Sequence, residues 1–85
     1  MTQETLDLLE RLPSRMIGTD PAHPVHQLVI EKFPNKTWSV SYVCLTCKGK
    51  TIQYNEPSLE TCLADMVEWV EDVVAHHGLK EMHNF

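Results

Sequence analysis

Apolar residues recur every three or four positions near both ends of this chain and every second position in its middle, a change of period that predicts helix, sheet and helix. Between Thr2 and Leu12, Leu6, Leu9 and Leu12 follow at three-residue spacing with Leu8 beside them. Glu4, Asp7 and Glu10 fall in the early turns, where carboxylates suit the helix dipole. The segment reads as a short amphipathic helix. Pro13 either ends it or starts a further turn through Met16 and Ile17, and Gly18 closes the element. From Gly18 to Pro24, two prolines and an Asp-Pro pair disfavour helix and ladder alike, which predicts an ordered loop.

The β-branched and apolar residues of Val25 to Phe33 predict a first strand, and Pro34, Asn35 and Lys36 supply a turn. In Thr37 to Thr46 the residues Trp38, Val40, Tyr42 and Cys44 alternate with Ser39, Ser41 and Val43, the signature of a strand with one covered face. A three-residue hairpin loop of Cys47, Lys48 and Gly49 pairs Thr46 with Lys50, Cys44 with Ile52 and Tyr42 with Tyr54. That register gathers Trp38, Val40, Tyr42, Cys44, Ile52 and Tyr54 on one face. A two-residue Lys48-Gly49 loop would place Ile52 and Tyr54 on the opposite face, which rejects it. Thr37, Ser39, Ser41 and Thr51 then line a second face that so short a chain has nothing left to cover.

The longest element starts at Asn55 to Ser58, with Pro57 near the first helical position or Ser58 as cap, and stops at Gly78. Leu59, Cys62, Leu63, Met66, Trp69, Val70, Val73 and His77 follow helical spacing, widened by Val67 and Val74, so this helix should lie across the sheet. His76 and His77 sit where the helix dipole favours a cation. Lys80 to Phe85 reads as a loose tail. The predicted class is α+β: a three-stranded antiparallel sheet covered by an N-terminal helix and a long C-terminal helix, in the order α-β-β-β-α. Residues 1–85 form a single compact domain.

Composition narrows the function. Eighty-five residues are too few for two cores, and 42% hydrophobic with 22% charged is the balance of a folded protein. Seven Lys and Arg against twelve Asp and Glu give a formal charge of -5, which opposes direct binding to a phosphate backbone. No apolar run approaches the roughly 18 residues of a membrane span, and no leader pattern is readable, so a cytoplasmic location is expected. Three cysteines in a reducing compartment would stay free or bind metal.

The element order, with Trp38 to Val43 in the second strand and Gly49-Lys50 at the hairpin, resembles the double-stranded-RNA-binding domain over Leu28 to Val70. That family grips phosphates with lysines at the start of its last helix. Here Ser58-Leu59-Glu60-Thr61-Cys62 stands in their place, and Phe33-Pro34-Asn35-Lys36 replaces the family's loop motif, so RNA binding does not carry over. The same order, with a Pro-Ser start and a long terminal helix over Pro57 to Val74, resembles small phage-encoded proteins of the ABA-sandwich type. That resemblance implies an accessory factor that binds and disables a host protein, in the manner of anti-CRISPR or anti-restriction factors.

The sharpest local motif is Cys44-Leu-Thr-Cys47, since two thiolates at a tight hairpin can share one zinc ion. Its candidate partners are His23 and His26, or Cys62, or His76 and His77. Without a second Cys-x-x-Cys, the favoured reading is that Cys44 is a small buried apolar residue and Cys47 a turn residue, with no cofactor and zinc as the alternative. Cys62 falls in the apolar stripe, which argues for an inert core thiol. Nothing forms a phosphate loop, a nucleophile elbow or a catalytic carboxylate pair, so no enzyme activity is expected.

The terminal helix carries a different signal. Asp65, Glu68, Glu71 and Asp72 form an acidic surface, and no Lys or Arg occurs between Leu59 and Gly78. Glu68 and Asp72 are like charges one turn apart, at a cost of a few tenths of a kcal/mol in an isolated helix. A stripe kept acidic at that cost suits a partner with a basic surface, including one that normally holds nucleic acid. Trp38 and Trp69 are expected as core anchors. The functional expectation is a small acidic protein-binding module, with a zinc-dependent binding module or a self-associating homodimer through the exposed strand edge as alternatives.

Overall fold

The computed structural model describes residues 2–18, 25–46, 49–76 and 80–82. Helix α1 spans Gln3–Arg11, strands β1, β2, β3 and β4 span Arg15–Ile17, Val25–Lys32, Trp38–Cys44 and Lys50–Glu56, helix α2 spans Leu59–His76, and a short strand β5 spans Lys80–Met82. Strands β1 to β4 form an antiparallel sheet in the order β4-β3-β2-β1, and β5 extends it beyond β1. The class is α+β, with an N-terminal helix and a long C-terminal helix that packs on the sheet.

Local chemistry sets the ends of these elements. Thr2 caps α1, its hydroxyl accepting from the Thr5 amide at 3.2 Å, and Glu4 and Arg11 complement the dipole at opposite ends. The turn from β2 to β3 closes through Phe33 N to Thr37 O at 2.9 Å and Lys36 N to Phe33 O at 3.0 Å. Lys36 takes φ 67 there, and the Asn35 side chain accepts from the Thr37 amide at 3.2 Å and the Thr37 hydroxyl at 2.6 Å. The first intrahelical bond of α2 runs from the Cys62 amide to the Ser58 carbonyl at 3.2 Å, which puts Ser58 at the cap position.

The core lies on one face of the sheet. Leu12, Met16, Val40 and Tyr42 meet Cys62, Leu63, Met66, Val67, Val70 and Val73, with Leu28, Trp38, Ile52, Tyr54 and Trp69 partly buried around them. The α2 stripe is the one the sequence predicts, and Trp69 stacks on Tyr42 with ring centroids 6.2 Å apart. Helix α1 packs beside α2 and contributes Leu8, Leu9 and Leu12.

Four expectations are corrected. The sheet has more than three strands, because Arg15 to Ile17 is extended rather than a helical turn. Pro13 stops α1, and Met16 becomes the buried middle of a strand too short to carry a readable period. Lys80 to Met82, expected in a loose tail, pairs with β1 as Arg15 with Met82 and Ile17 with Lys80. The β3–β4 register is displaced by two residues from the predicted one: Tyr42 faces Ile52 and Val40 faces Tyr54, and a bulge follows at Val43 and Lys50. A displacement of two preserves side-chain parity, so Trp38, Val40, Tyr42, Ile52 and Tyr54 still share a face. Finally, Ser39 and Ser41 sit on the face away from the helices yet are fully buried, hemmed in by cross-strand neighbours Glu31, Val29, Asn55 and Gln53.

Candidate functional site

Helix α2 presents its carboxylates along two lines. At 100° per residue, Asp65, Glu68 and Asp72 fall within about 60° of one another, whereas Glu71 points about 60° further round. Glu71 there meets Arg11 of α1 in an ion pair, both side chains more than half exposed. The four predicted acidic residues therefore divide. Asp65, Glu68 and Asp72 form one outward arc, and Glu71 belongs to the seam between the helices. Asp72 also lies 3.3 Å from His76 Nδ1, and the same nitrogen is 3.1 Å from the Asp72 carbonyl, in keeping with a histidine at a helix C-terminus.

The arc borders β4. Burial raises the Tyr54 hydroxyl above its ordinary value of 10.0, and the charges of Asp65 and Glu68 raise it further. Tyr54 thus marks where the acidic arc meets the sheet. Sequence reading assigned Tyr54 to the core face and gave it no part in the acidic surface. The missing signal was three-dimensional, since it depends on which edge of the sheet α2 crosses.

A second acidic contact joins the starts of the two helices. Glu60 hydrogen-bonds to Glu4, and this shared hydrogen bond, with lesser help from burial and the Glu4 charge, raises the Glu60 carboxyl above its ordinary value. Each glutamate alone looks like an ordinary first-turn residue placed for the dipole. Their convergence follows from the packing of α1 beside α2. Together the two helices carry Glu4, Asp7, Glu10, Glu60, Asp65, Glu68, Glu71 and Asp72 against a single Lys or Arg, Arg11. The helical layer is acidic as a whole, and most of the chain's cations lie on the strands and turns.

The cysteines take different positions. Cys44 is buried, faces His26 directly across β2 and β3, and places its sulfur 3.2 Å from the Thr46 hydroxyl. His26 Nδ1 in turn lies 2.8 Å from the Thr51 hydroxyl. Cys47 and His23, the other two members of the alternative zinc set, lie outside the described residues, as does His77. Among the described residues, no group of three or more His, Cys, Asp or Glu is arranged to hold a metal ion. Cys62 is fully buried and donates its thiol to the carbonyls of Trp38 at 3.3 Å and Tyr54 at 3.6 Å. Burial pushes this thiol up, a backbone hydrogen bond from Glu56 partly offsets the rise, and the charges of Glu56 and Asp65 add to it. A protonated, inaccessible thiol is a poor nucleophile.

No family model, curated protein or solved structure matches this chain. Among the described residues, no helix is long and apolar enough to cross a membrane.

Proposed function

We propose that this chain is a small acidic protein-binding module that acts by stoichiometric occupation of a basic surface on a larger complex, one that ordinarily handles nucleic acid. The observation that carries the reading is the charge of the helical layer: eight carboxylates against Arg11. Asp65, Glu68 and Asp72 extend this charge over about 10 Å of helix, at 1.5 Å rise per residue. A rigid helix with negative charges fixed along it offers a basic groove some of what a nucleic-acid backbone offers, without bases or a flexible chain. The resemblance to phage ABA-sandwich proteins extends the proposal to a phage or mobile-element inhibitor of a host defence complex, of anti-CRISPR or anti-restriction type, acting in the host cytoplasm without catalysis. A tagged pull-down from nuclease-treated host lysate tests it. The expected result is one host complex recovered in near-stoichiometric amount by the native chain and lost on charge reversal at Asp65, Glu68 and Asp72. Retention by the reversed variant would sink the acidic-face mechanism.

One observation favours a second reading, a zinc-dependent binding module: Cys44 and His26 are direct cross-strand partners. Zinc far below one ion per chain in protein purified without chelator would remove it.

A further inference from the structure

Strand β4 is an outer strand of the sheet, and no described strand lies beyond it. Two backbone bonds at the ends of the β2–β3 ladder, Phe33 N to Thr37 O at 2.9 Å and Leu45 N to Val25 O at 3.0 Å, fix its phase: odd-numbered residues of β3 bond towards β2. Even-numbered ones therefore bond towards β4, where Trp38, Val40 and Tyr42 meet Glu56, Tyr54 and Ile52, and Cys44 N donates to Gly49 O at 2.8 Å in the same phase. The intervening residues Gln53 and Asn55 turn their backbone amides and carbonyls away from the sheet, as a template for a further strand. The bulge at Val43 and Lys50 ends the regular edge, which runs from Ile52 to Glu56.

Helix α2 lies above this edge. Cys62 Sγ donates to Tyr54 O at 3.6 Å and Trp69 stacks on Tyr42, the partner of Ile52, so α2 runs antiparallel to β4. Glu71 faces α1 through its pair with Arg11. Asp65 and Asp72 lie about 100–120° from Glu71 around the helix, with Glu68 between, and so occupy the opposite flank, the one over β4. The Tyr54 hydroxyl, raised by burial and then by Asp65 and Glu68, agrees with that placement. Partly buried Ile52, Tyr54 and Trp69 form an apolar ledge below these carboxylates. Lys50, the only cation of β4, pairs at 3.6 Å with Glu31, which shares the far face of the sheet with Ser39.

A strand added along Gln53 and Asn55 would send every second side chain to the helix side, opposite Ile52 and Tyr54. There a long basic side chain fits, its stem on the ledge and its charge at the carboxylates. A second copy of β4 fits less well, because it brings another acidic flank against the first. We propose that the β4 edge captures an extended segment of a basic protein partner as an added antiparallel strand, with Lys or Arg at alternate positions reaching Asp65 and Glu68. The inference rests on the protein-binding reading above and deepens it by naming the form in which the partner's cations arrive. Charge steers the segment, and the backbone ladder fixes its register.

The test uses the full chain and a blocked seven-residue peptide that alternates threonine with lysine. In NMR titrations the amides of Gln53 and Asn55 should shift saturably and exchange more slowly with solvent, while those of Ile52 and Tyr54, already bonded to β3, should gain less protection. N-methylation separates a ladder from mere attraction of charge. In the added strand the threonine amides point at β4 and the lysine amides point away, so N-methyl threonines should weaken binding at least roughly tenfold and N-methyl lysines should be tolerated. Asp65→Asn with Glu68→Gln should also weaken binding roughly tenfold. Absence of saturable shifts, equal affinity with N-methyl threonines, or equal affinity for a peptide of the same composition with the alternation broken would overturn the proposal. So would protection of Gln53 and Asn55 in the free chain together with a concentration-dependent mass, which would give the edge to a second copy. If the peptide fails while charge reversal at Asp65, Glu68 and Asp72 still abolishes capture of the host complex, the added strand falls and the acidic-face reading stands.

Discussion

The hydroxyl of Tyr42 donates to the backbone carbonyl of Pro13 at 2.7 Å, joining the central strand of the sheet to the turn that ends α1. Tyr42 is fully buried, its ring stacks on Trp69 of α2, and Pro13 is fully buried too. One side chain thus ties together both helices and the sheet. Removing only its oxygen would strand a buried acceptor while leaving the ring packing intact. Tyr42→Phe should therefore destabilise the fold by about 1–3 kcal/mol. Urea unfolding should show a lower midpoint with an unchanged slope. A loss of less than a few tenths of a kcal/mol would mean that Pro13 finds another donor.

Ser39 and Ser41 offer a paired comparison, because they are equally buried on the same strand face but differ in hydrogen bonding. The Gln53 amide donates to the Ser39 hydroxyl at 2.7 Å and to Asn55 Oδ1 at 3.2 Å. The Ser41 hydroxyl is buried without a hydrogen-bond partner. Ser39→Ala should cost roughly 0.5–1.5 kcal/mol, whereas Ser41→Ala should be neutral or mildly stabilising, since it removes an unpaired polar group. Equal losses in thermal unfolding would contradict the distinction.

These two positions also show where sequence reading stops. Alternation in β3 placed Trp38, Val40 and Tyr42 on the core face, and helical spacing found the α2 stripe, because both periods follow from backbone geometry. Strands β1 and β5 have three residues each, too few for a period, and they are held by ladder pairing alone, β1 between β2 and β5 and β5 against β1. The serines were placed on an uncovered face, but their burial depends on the reach of long neighbours on β2 and β4. For the candidate site, the acidic positions were legible as a charge pattern on one helix. The division of Glu71 from Asp65, Glu68 and Asp72, and the meeting of Glu4 with Glu60, depend on where α1 lies, which no local pattern encodes.

That division makes the acidic residues unequal in binding. Glu71 is engaged by Arg11, and exposed pairs of this kind contribute under about 1 kcal/mol to stability, so Arg11→Ala should barely change unfolding. Asp65→Lys, Glu68→Lys and Asp72→Lys should each weaken capture of a basic partner roughly tenfold, more at low salt than at high salt. Glu71→Gln should change it less than about twofold. Affinities measured across a salt series would check this ordering. A dominant effect of Glu71 would mean that the partner approaches over the helix seam.

Tyr54 reports on the same arc without a partner. Its hydroxyl is raised above 10.0 first by burial and then by Asp65 and Glu68, so Asp65→Asn with Glu68→Gln should lower its titration midpoint towards 10.0 without restoring it fully. Following the Tyr54 ring by NMR across alkaline pH would measure the change. The sign for stability follows from proton binding. Between the unfolded value and the raised folded value, the folded chain holds more protons than the unfolded one, so this group makes stability fall as pH rises through that window. Its stabilising influence relative to high pH is fully present below the unfolded value. The double variant narrows the window and should flatten that part of the stability curve. A Tyr54 midpoint unmoved by the substitutions would show that Asp65 and Glu68 do not act on it, and the acidic arc would then lie further from the edge of β4.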